Sequence, residues 1–343
     1  MDSTEELAKI LFQHQHGFII TKIMSTACEL GVFDLLLESG GFLSSAEIAE
    51  RLGTSHMGMQ RLLEVCVGSK LLRMERKDNE GFYGNTDLAN LFLAKSSPKS
   101  QYQYTRFFAD FLYSGLQNLT KAVREGKHQV PLLFDTSEKN IYTNFCSSEE
   151  RLQGFQNAME DAWSLYGQEV ISAFDLSGFH IVCDLGGGSD AFAKQYISLY
   201  PNSTVTIFDL PEVVENAKKS SLFSEEYRIN FQSGDFFNDP IPEADLYILA
   251  RVVHSWDDEK CLALLKKLHK AGKTGCGVLI VEMVLNEDRS GPLAAHIFSI
   301  LLLIVLEGKE RTASEYNALL GAAGFKDVQF KKGQLLDAVY GRK

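Results

Sequence analysis

Residues 180–191 read HIVCDLGGGSDA and give the clearest indication of the fold. A short apolar, β-branched run ends in Asp184, three glycines follow, and a helical pattern begins after them. Glycines allow the backbone to approach a ligand closely at the start of a helix. The stretch therefore predicts a strand, a ligand-binding turn and a helix, although a glycine turn that binds nothing has the same letters.

The carboxylate of Asp184 narrows the choice of ligand. Taken alone, the glycines fit the GxGxxA pattern of a dinucleotide site. A carboxylate at the end of the strand would repel a pyrophosphate, whereas it suits a ligand that carries an ammonium and a sulfonium group. S-adenosylmethionine carries both groups, so this cofactor is favoured over a nicotinamide dinucleotide.

Short apolar runs alternate with helical patterns throughout the rest of the chain. This alternation predicts an α/β fold, a Rossmann-like doubly wound sheet with a largely parallel core. Ligands of such sheets bind at the carboxyl ends of the strands. The six runs that we interpret as strands are His180 to Asp184, Thr204 to Phe208, Arg228 to Phe231, Leu246 to Ala250, Val278 to Val281, and Asp327 to Phe330.

Two further strand ends carry residues that suit an adenosyl group. Asp209 follows the second run, 23 residues after Gly186, where a carboxylate can accept both ribose hydroxyls. Gly234, Asp235 and Phe236 follow the third run; the carboxylate could accept from the adenine amino group and the phenyl ring could cover the base. A surface-turn aspartate beside a core phenylalanine is the simpler alternative. Suitable residues follow three predicted strands in succession, however, and this order favours a cofactor site.

The fourth run leads into ARVVHSWDD, residues 250–258, and places His254 just past the end of a strand. A neutral imidazole accepts the proton of a phenol at pH 7 while the phenol oxygen attacks an electrophilic methyl group. Glu282 ends the next run and Glu310 lies in EGKERT; either carboxylate can hold the imidazole tautomer, or be an ordinary surface or helix charge. His254 is therefore the candidate base, with Glu282 and Glu310 as candidate partners.

The amino-terminal part has a different pattern. Apolar residues recur at helical spacing from His16 to Leu37, which predicts one long apolar helix. A capping pattern at 43–47 opens a short helix that ends at Gly53, and a second helix runs from about Ser55 to Ser69. Residues 71–74 and 82–84 predict a hairpin, so the layout is that of a winged helix-turn-helix.

This winged-helix-like module is expected to pair two copies of the chain rather than to read DNA. Its second helix offers Arg61 for base contacts but also carries Glu64 and a largely apolar surface. We assign residues 1–98 to this dimerisation domain and 99–343 to the catalytic domain. Within the latter, 99–176 are mostly helical and aromatic and are expected to form a substrate wall, while 177–343 form the sheet.

Composition and charge exclude several classes of protein. The chain has 343 residues, with 34 basic and 45 acidic side chains and a net charge of -11, which disfavours nucleic acid as a partner. The apolar stretch 297–306 is too short to span a membrane, and residues 1–6 lack the basic start of a signal peptide. Six cysteines are scattered without a CxxC pair, so no metal site is expected. We expect a cytoplasmic protein.

The chain resembles the acetylserotonin (hydroxyindole) O-methyltransferases over essentially its whole length. The stretches that carry the resemblance are ACELGVFDLL, DLGGGSDAFA, FDLPEVV, GDFFNDPIPEADLYILARVVHSW and EGKERT. The resemblance implies a homodimer, a Rossmann-like catalytic domain, S-adenosylmethionine as methyl donor, no metal, a hydroxyindole acceptor and His254 as the base. The cofactor contacts that it implies are Phe145, Trp163, Gly186, Asp209, Gly234, Asp235, Phe236 and Arg251.

Three departures from the family pattern affect the prediction. The family has His-Asp-Trp where this chain has His254-Ser255-Trp256, so a carboxylate beside the base is missing. Leu301 and Val305 replace polar residues of the implied substrate pocket, and Phe145 replaces a tyrosine. The acceptor is therefore expected to be a small aromatic hydroxyl compound, N-acetylserotonin or a less polar relative. The alternative is a catalytically weakened paralogue that binds the cofactor and acts as a dimeric interaction or regulatory protein.

Overall fold

The computed structural model describes residues 3–220 and 228–343. The chain divides into two compact units, Met1–Phe111 and Leu112–Lys343. The first unit extends past the division expected after residue 98, because the helix Tyr102–Phe107 packs on the long first helix. Lys22 on that first helix also pairs with Asp110, with Nζ and Oδ1 3.4 Å apart.

The first unit consists of helices and a small antiparallel sheet in the order β1-β3-β2. The hairpin and the two short helices expected from the sequence are all present. The elements are α1 (Thr4–Leu30), α2 (Val32–Ser39), β1 (Leu43–Ser44), α3 (Ser45–Arg51), α4 (His56–Gly68), β2 (Leu72–Lys77), β3 (Glu80–Asn85), a π-helical turn (Ala89–Leu93), α5 (Tyr102–Phe107) and a second π-helical turn (Phe108–Leu112).

The single helix predicted from His16 to Leu37 is two helices in the structure. Gly31 has φ +82°, a left-handed conformation that ends α1 and starts α2. The first helix also begins earlier than predicted, because Ser3 and Glu6 form a reciprocal capping box at its start. The prediction rested on apolar periodicity, which does not detect the polar residues at the start of α1. It also interpreted Gly31 as a weak point within one helix, whereas the helix ends there.

The first helix, α1, carries large apolar side chains that the unit leaves exposed. Phe12 is 61% exposed, Leu11 56%, Leu7 54% and Phe18 53%. The fully buried side chains of α1 lie near its end, from Ser25 to Cys28, and Ile23 and Met24 pack on the same core. Large apolar side chains exposed together on one helix are typical of a surface that binds another protein.

The second unit contains a helical segment followed by alternating strands and helices. Its elements are α6 (Tyr113–Leu116), α7 (Leu119–Glu125), α8 (Val130–Phe134), α9 (Ile141–Cys146), α10 (Glu149–Ile171), β4 (Ile181–Leu185), α11 (Ala191–Leu199), β5 (Thr204–Asp209), α12 (Pro211–Ser220), β6 (Ile229–Ser233), β7 (Leu246–Ala250), a 3-10 turn (Val253–Ser255), α13 (Asp258–Ala271), β8 (Gly277–Glu282), α14 (Leu293–Val305), α15 (Ala313–Ala323), β9 (Lys326–Lys331) and β10 (Asp337–Arg342).

These strands form a seven-stranded sheet in the order β6-β5-β4-β7-β8-β10-β9. The five strands from β6 to β8 are parallel, and β10 runs antiparallel to both of its neighbours. Successive residues of β7 pack into opposite layers, Ile248 on one face and Leu249 on the other. The sheet is therefore covered by helices on both faces, and the predicted Rossmann-like doubly wound fold is confirmed.

The sequence pattern missed the seventh strand, β10. This strand begins with Asp337, a buried carboxylate that interrupts any apolar run. Its Oδ2 accepts from the backbone N–H of Val284 at 3.0 Å, and its Oδ1 accepts from Gly333 at 2.9 Å. A strand that begins with a charged residue and contains Gly341 has no clear apolar pattern. This strand nevertheless lies inside the sheet, between β8 and β9.

No helix within 3–220 and 228–343 combines the length and the apolar character needed to cross a bilayer.

Candidate active site

A cavity of about 240 Å³ lies in the second unit at the carboxyl ends of the parallel strands. It lies where the chain crosses from one half of the sheet to the other, between β4 and β7, which is the usual ligand site of this fold. All nine residues that the sequence nominated for cofactor binding line this one cavity: Phe145, Trp163, Asp184, Gly186, Asp209, Gly234, Asp235, Phe236 and Arg251.

The glycine turn after β4 forms the floor of the cavity. Gly186 and Gly188 have φ +67° and φ +68°, which favour glycine at both positions. A Cβ atom on Gly187 would collide with Oδ2 of Asp184, so this position also requires glycine. The turn is thus built for close backbone approach, as the sequence predicted.

Asp184 is a buried carboxylate that lacks a counter-charge. It is 1% exposed, and its Oδ2 has no hydrogen-bond partner in the described structure. Burial, together with the nearby charge of Asp209, raises the pKa of Asp184 to about 8. A cation bound in the cavity would offset the free-energy cost of this buried negative charge, whereas a pyrophosphate would increase it. Asp184 therefore fits an ammonium or sulfonium ligand.

Asp209 is fixed at the end of β5 by the backbone around it. Its Oδ2 accepts from the N–H of Gly188 at 2.9 Å, and its Oδ1 accepts from the N–H of Leu210 at 2.7 Å. Burial raises its pKa to about 6, against these two hydrogen bonds that lower it. Each oxygen retains a lone pair, so the oriented carboxylate can accept the hydroxyls of a ribose.

Asp235 has a structural task as well as a place in the cavity. Its Oδ1 accepts from the N–H of Phe237 at 2.8 Å and its Oδ2 from the side-chain amide of Asn238 at 2.7 Å. These bonds hold the turn after β6, which was the simpler interpretation of this aspartate. Phe236 also lines the cavity, with its ring 4.9 Å from that of Phe237.

Aromatic side chains close the cavity on its helical side. Phe145 on α9 stacks on Phe155 of α10, with ring centroids 4.6 Å apart. Trp163 on α10 is buried, and its indole N–H has no partner in the described structure. The chain has two tryptophans, Trp163 and Trp256, and both line this cavity.

His254 lies in the 3-10 turn after β7 and is held by both candidate carboxylates. Its Nδ1 is 2.7 Å from Oε2 of Glu282 and 3.4 Å from Oε1 of Glu310. Oε1 of Glu282 also accepts from the backbone N–H of His254 at 3.2 Å. Both carboxylates are almost fully buried, so neither is an ordinary surface charge. This arrangement fixes the ring and leaves Nε2 as the nitrogen available to a substrate.

The carboxylates change the protonation of the base. Burial lowers the pKa of His254, but the charges of Glu282 and Glu310 raise it more, to about 9. Burial also raises the pKa of Glu310. The sequence led us to expect a neutral imidazole at pH 7, whereas the structure favours the charged ring. The ring must therefore lose a proton before it can accept one.

The same three side chains place donor atoms within 4.8 Å of one another, which is close enough to hold a metal ion. The contact between Nδ1 of His254 and Oε2 of Glu282 is 2.7 Å, the distance of a close ion pair. Two ligand atoms that are each about 2.0–2.1 Å from a tetrahedral metal ion lie farther apart than this. The geometry therefore matches an ion pair better than two ligands of one metal ion.

The sequence reasoning missed the residues that hold the His254 turn in place. Arg311, fully buried, donates to the carbonyl oxygens of Val253 at 3.1 Å and Trp256 at 2.8 Å, and pairs with Asp258 at 2.7 Å. Arg311 belongs to the same EGKERT stretch as Glu310, so a signal for it was present in the sequence.

Gly308 was also missed. A Cβ atom on this residue would collide with the carbonyl oxygen of His254 and the backbone nitrogen of Trp256. The loop that carries Glu310 therefore packs directly on the turn that carries His254. Tyr142 and Glu160 also line the cavity without having been nominated, and burial raises the pKa of Glu160.

The structure separates the nominated substrate residues from this cavity. Leu301 and Val305 are buried on α14, and neither is among the described residues that line the cavity. His254, Glu282 and Glu310 are not among them either, whereas Trp256 next to the base is. The assignment of Leu301 and Val305 to a substrate pocket stays a prediction.

Two family models match the chain. An O-methyltransferase domain matches residues 116–326, and an O-methyltransferase dimerisation domain matches residues 12–95. The first match covers the five parallel strands, the glycine turn and the turn of His254. The second covers most of the first structural unit.

Named relatives agree with these matches over the full length of the chain. Acetylserotonin O-methyltransferase of Gallus gallus is 52% identical, and that of Homo sapiens 45%, each over 100% of both chains. The crystal structure of human N-acetylserotonin methyltransferase in complex with S-adenosylmethionine superposes with a TM-score of 0.95 at 44% identity, covering 100% of this chain and 99% of that one. This chain therefore belongs to the acetylserotonin O-methyltransferase family, as its motifs led us to expect.

Proposed function

We propose that this protein transfers a methyl group from S-adenosylmethionine to the hydroxyl of a small aromatic acceptor, a hydroxyindole such as N-acetylserotonin or a less polar relative. One observation carries the proposal: the nine nominated residues line a single cavity, and a histidine held by two buried carboxylates lies just after β7. Full-length relatives with this activity support it.

The residues of the cavity fit the cofactor part by part. Asp184 would face the positive charges of the cofactor, Asp209 the ribose hydroxyls, and Phe236 the adenine ring, with Asp235 accepting from the adenine amino group. When bound, S-adenosylmethionine supplies a methyl group on a positively charged sulfur. Gly186 permits the close approach, since a Cβ atom there would lie 3.1 Å from Val252.

His254 would act as the base. Nε2 accepts the proton of the acceptor hydroxyl, so that the oxygen carries more negative charge as it attacks the methyl carbon. Glu282 and Glu310, both close to Nδ1, then stabilise the imidazolium. Ser255 supplies no negative charge beside the base, so in this chain these two carboxylates carry that role.

Ligand binding gives a first test. S-adenosylhomocysteine, the demethylated product, should raise the melting temperature, because a ligand bound only by the folded state stabilises it by about 2.7 kcal/mol at a hundredfold excess over Kd. Asp209→Ala should abolish most of this shift by removing the ribose acceptor. The measurement is differential scanning fluorimetry with each ligand.

Asp245→Ala is the matched control for that experiment. Asp245 precedes β7 at the opposite end of the sheet and accepts from the N–H of Ile181 at 3.0 Å. This variant should have a lower melting temperature, because it loses that hydrogen bond, and should retain the ligand-induced shift. A wild-type protein that responds to a nicotinamide dinucleotide and not to S-adenosylhomocysteine would refute the cofactor assignment.

The pH dependence of the reaction gives a second test. Since the neutral ring is the base, a pKa raised to about 9 moves the active form to higher pH. At saturating cofactor, kcat/KM should rise about tenfold per pH unit above pH 7 and level off near the raised pKa. Glu282→Gln removes one of the charges that raise the pKa, so its plateau should begin at lower pH. A profile flat from pH 6.5 to 9 would contradict this.

The competing function is a catalytically weakened paralogue that keeps the cofactor cavity. Ser255 and Leu301 motivate this alternative, because both replace polar groups of the family pattern. Relatives named as enzymes over the full length favour catalysis. Turnover on a panel of hydroxyindoles and phenols separates the two, since cofactor binding is common to both.

We also propose that two copies of the chain form a homodimer through the first unit. The exposed apolar side chains of α1 and the match to a dimerisation domain support this assembly. Sedimentation as a monomer at micromolar concentration would contradict it. The cytoplasmic location and the absence of a nucleic-acid partner remain predictions from composition and charge.

A further inference from the structure

Tyr142 contacts the turn that carries the base. Its hydroxyl lies 2.8 Å from the hydroxyl of Ser255, the residue after His254. Tyr142 belongs to α9 and lines the cavity, whereas Ser255 is almost fully buried beneath it. The ring of Tyr142 also lies 6.1 Å from the ring of Trp256. One hydrogen bond thus joins the helical side of the cavity to the catalytic turn.

The surroundings of Tyr142 place it between the two halves of the site. Burial raises the pKa of its hydroxyl, the charges of Asp209 and Glu282 add to this, and Arg251 opposes it. The group therefore stays neutral and acts as a hydrogen-bonding group, not as a base. Asp209 belongs to the proposed ribose site and Glu282 holds His254, so Tyr142 is near both.

The opposite side of the turn is held by buried charged groups outside α9. Arg311 binds the carbonyl oxygens of Val253 and Trp256, and Glu282 binds the N–H of His254. None of these three contacts involves a residue of α9. The hydroxyl pair therefore supplies a connection between α9 and the turn that the buried charges do not.

We propose that Tyr142 is a positioning residue that links occupation of the cofactor cavity to the position of His254 through Ser255. A ligand in the cavity packs against α9, and the hydrogen bond transmits that restraint to the turn. Because Ser255 stands where the family pattern has aspartate, the pairing of two hydroxyls is a feature of this chain. The inference rests on the proposed function, because it requires that a cofactor binds in this cavity.

Hydrogen exchange tests the link without requiring the acceptor to be known. The full chain is compared with and without S-adenosylhomocysteine, following peptides that cover 184–190 and 252–257. In the wild type the ligand should slow exchange in both. In Tyr142→Phe and in Ser255→Ala the slowing at 252–257 should fall about fivefold or more, the typical effect of one hydrogen bond. Slowing at 184–190 should persist.

Three further variants separate a specific link from general loosening. Ser255→Thr keeps a hydroxyl and should behave as the wild type. The double variant Tyr142→Phe/Ser255→Ala should be no worse than either single variant, because both remove the same bond. Tyr200→Phe is the matched control, since its hydroxyl lies 3.4 Å from the carbonyl oxygens of Ile171 and Phe174, outside the cavity lining.

The outcomes distinguish the inference from the function on which it rests. If the ligand slows exchange at neither peptide in the wild type, the proposed function fails and the inference fails with it. If it slows both in the wild type and equally in Tyr142→Phe, the function stands and the inference is overturned. Additive losses in the double variant would also overturn it.

Discussion

Replacing His254 with alanine is expected to lower kcat by about 10²–10⁴-fold on every acceptor, the usual contribution of a general base. The variant removes the nitrogen that would take the proton from the hydroxyl group of the substrate. It also leaves Glu282 and Glu310 without their partner. The nine residues that line the cavity with the cofactor contacts are untouched, so S-adenosylhomocysteine should still raise the melting temperature. Steady-state turnover and thermal shift on the same preparation measure both effects.

His180→Ala provides the control for that variant. His180 is an exposed histidine just before β4 and lies at the amino end of the sheet. Its loss should leave kcat close to that of the wild type. Activity of His254→Ala within tenfold of the wild type would exclude His254 as the base.

Gly308→Ala is the second substitution with a large expected effect. The added methyl group would collide with backbone atoms of His254 and Trp256, which cannot rotate away as a side chain can. Overpacking of this kind costs about 1–3 kcal/mol in stability. It also moves Glu310 and His254 apart, and a misplacement of about 1 Å costs about a hundredfold in rate. Thermal denaturation and kcat measure the two effects.

Gly321→Ala tests whether any glycine replacement would do the same. Gly321 lies within α15, and a Cβ atom there meets nothing within 4 Å. Alanine is the better helix former, so this variant should be as stable as the wild type or slightly more stable. If both variants behaved like the wild type, the close packing of the two loops would have no role in catalysis.

The most apolar of the predicted strands, β7 and β8, lie in the interior of the sheet. Runs such as Leu246 to Ala250 are continuously apolar because both faces of a parallel sheet are buried, and this pattern is visible in the letters alone. The strand at Asp337–Arg342 lacks this pattern, since its first residue is a carboxylate that accepts from the N–H of Val284, 53 residues earlier, and from that of Gly333. Local patterns cannot report a partner that the chain supplies some fifty residues away.

The same limit applies to the site. Residues at strand ends, such as Asp184 and Asp209, could be placed together because parallel strands end at one edge of the sheet. Tyr142 lies on a short helix and Arg311 in a loop. Neither element has a periodic pattern that predicts the direction of its side chains. Their roles depend on tertiary contacts with the turn of His254, and those contacts become visible only once the chain is folded.

The location of the two tryptophans has an optical consequence. Since Trp163 and Trp256 both line the cavity, the indole emission of the whole chain originates at the site where the cofactor is proposed to bind. The protein thus carries its own spectroscopic probe, and filling the cavity alters the fluorescence without any added label. Trp163 lies on α10 and Trp256 beside the base, so quenching of one or the other distinguishes a ligand of the cofactor side from one that reaches the catalytic turn.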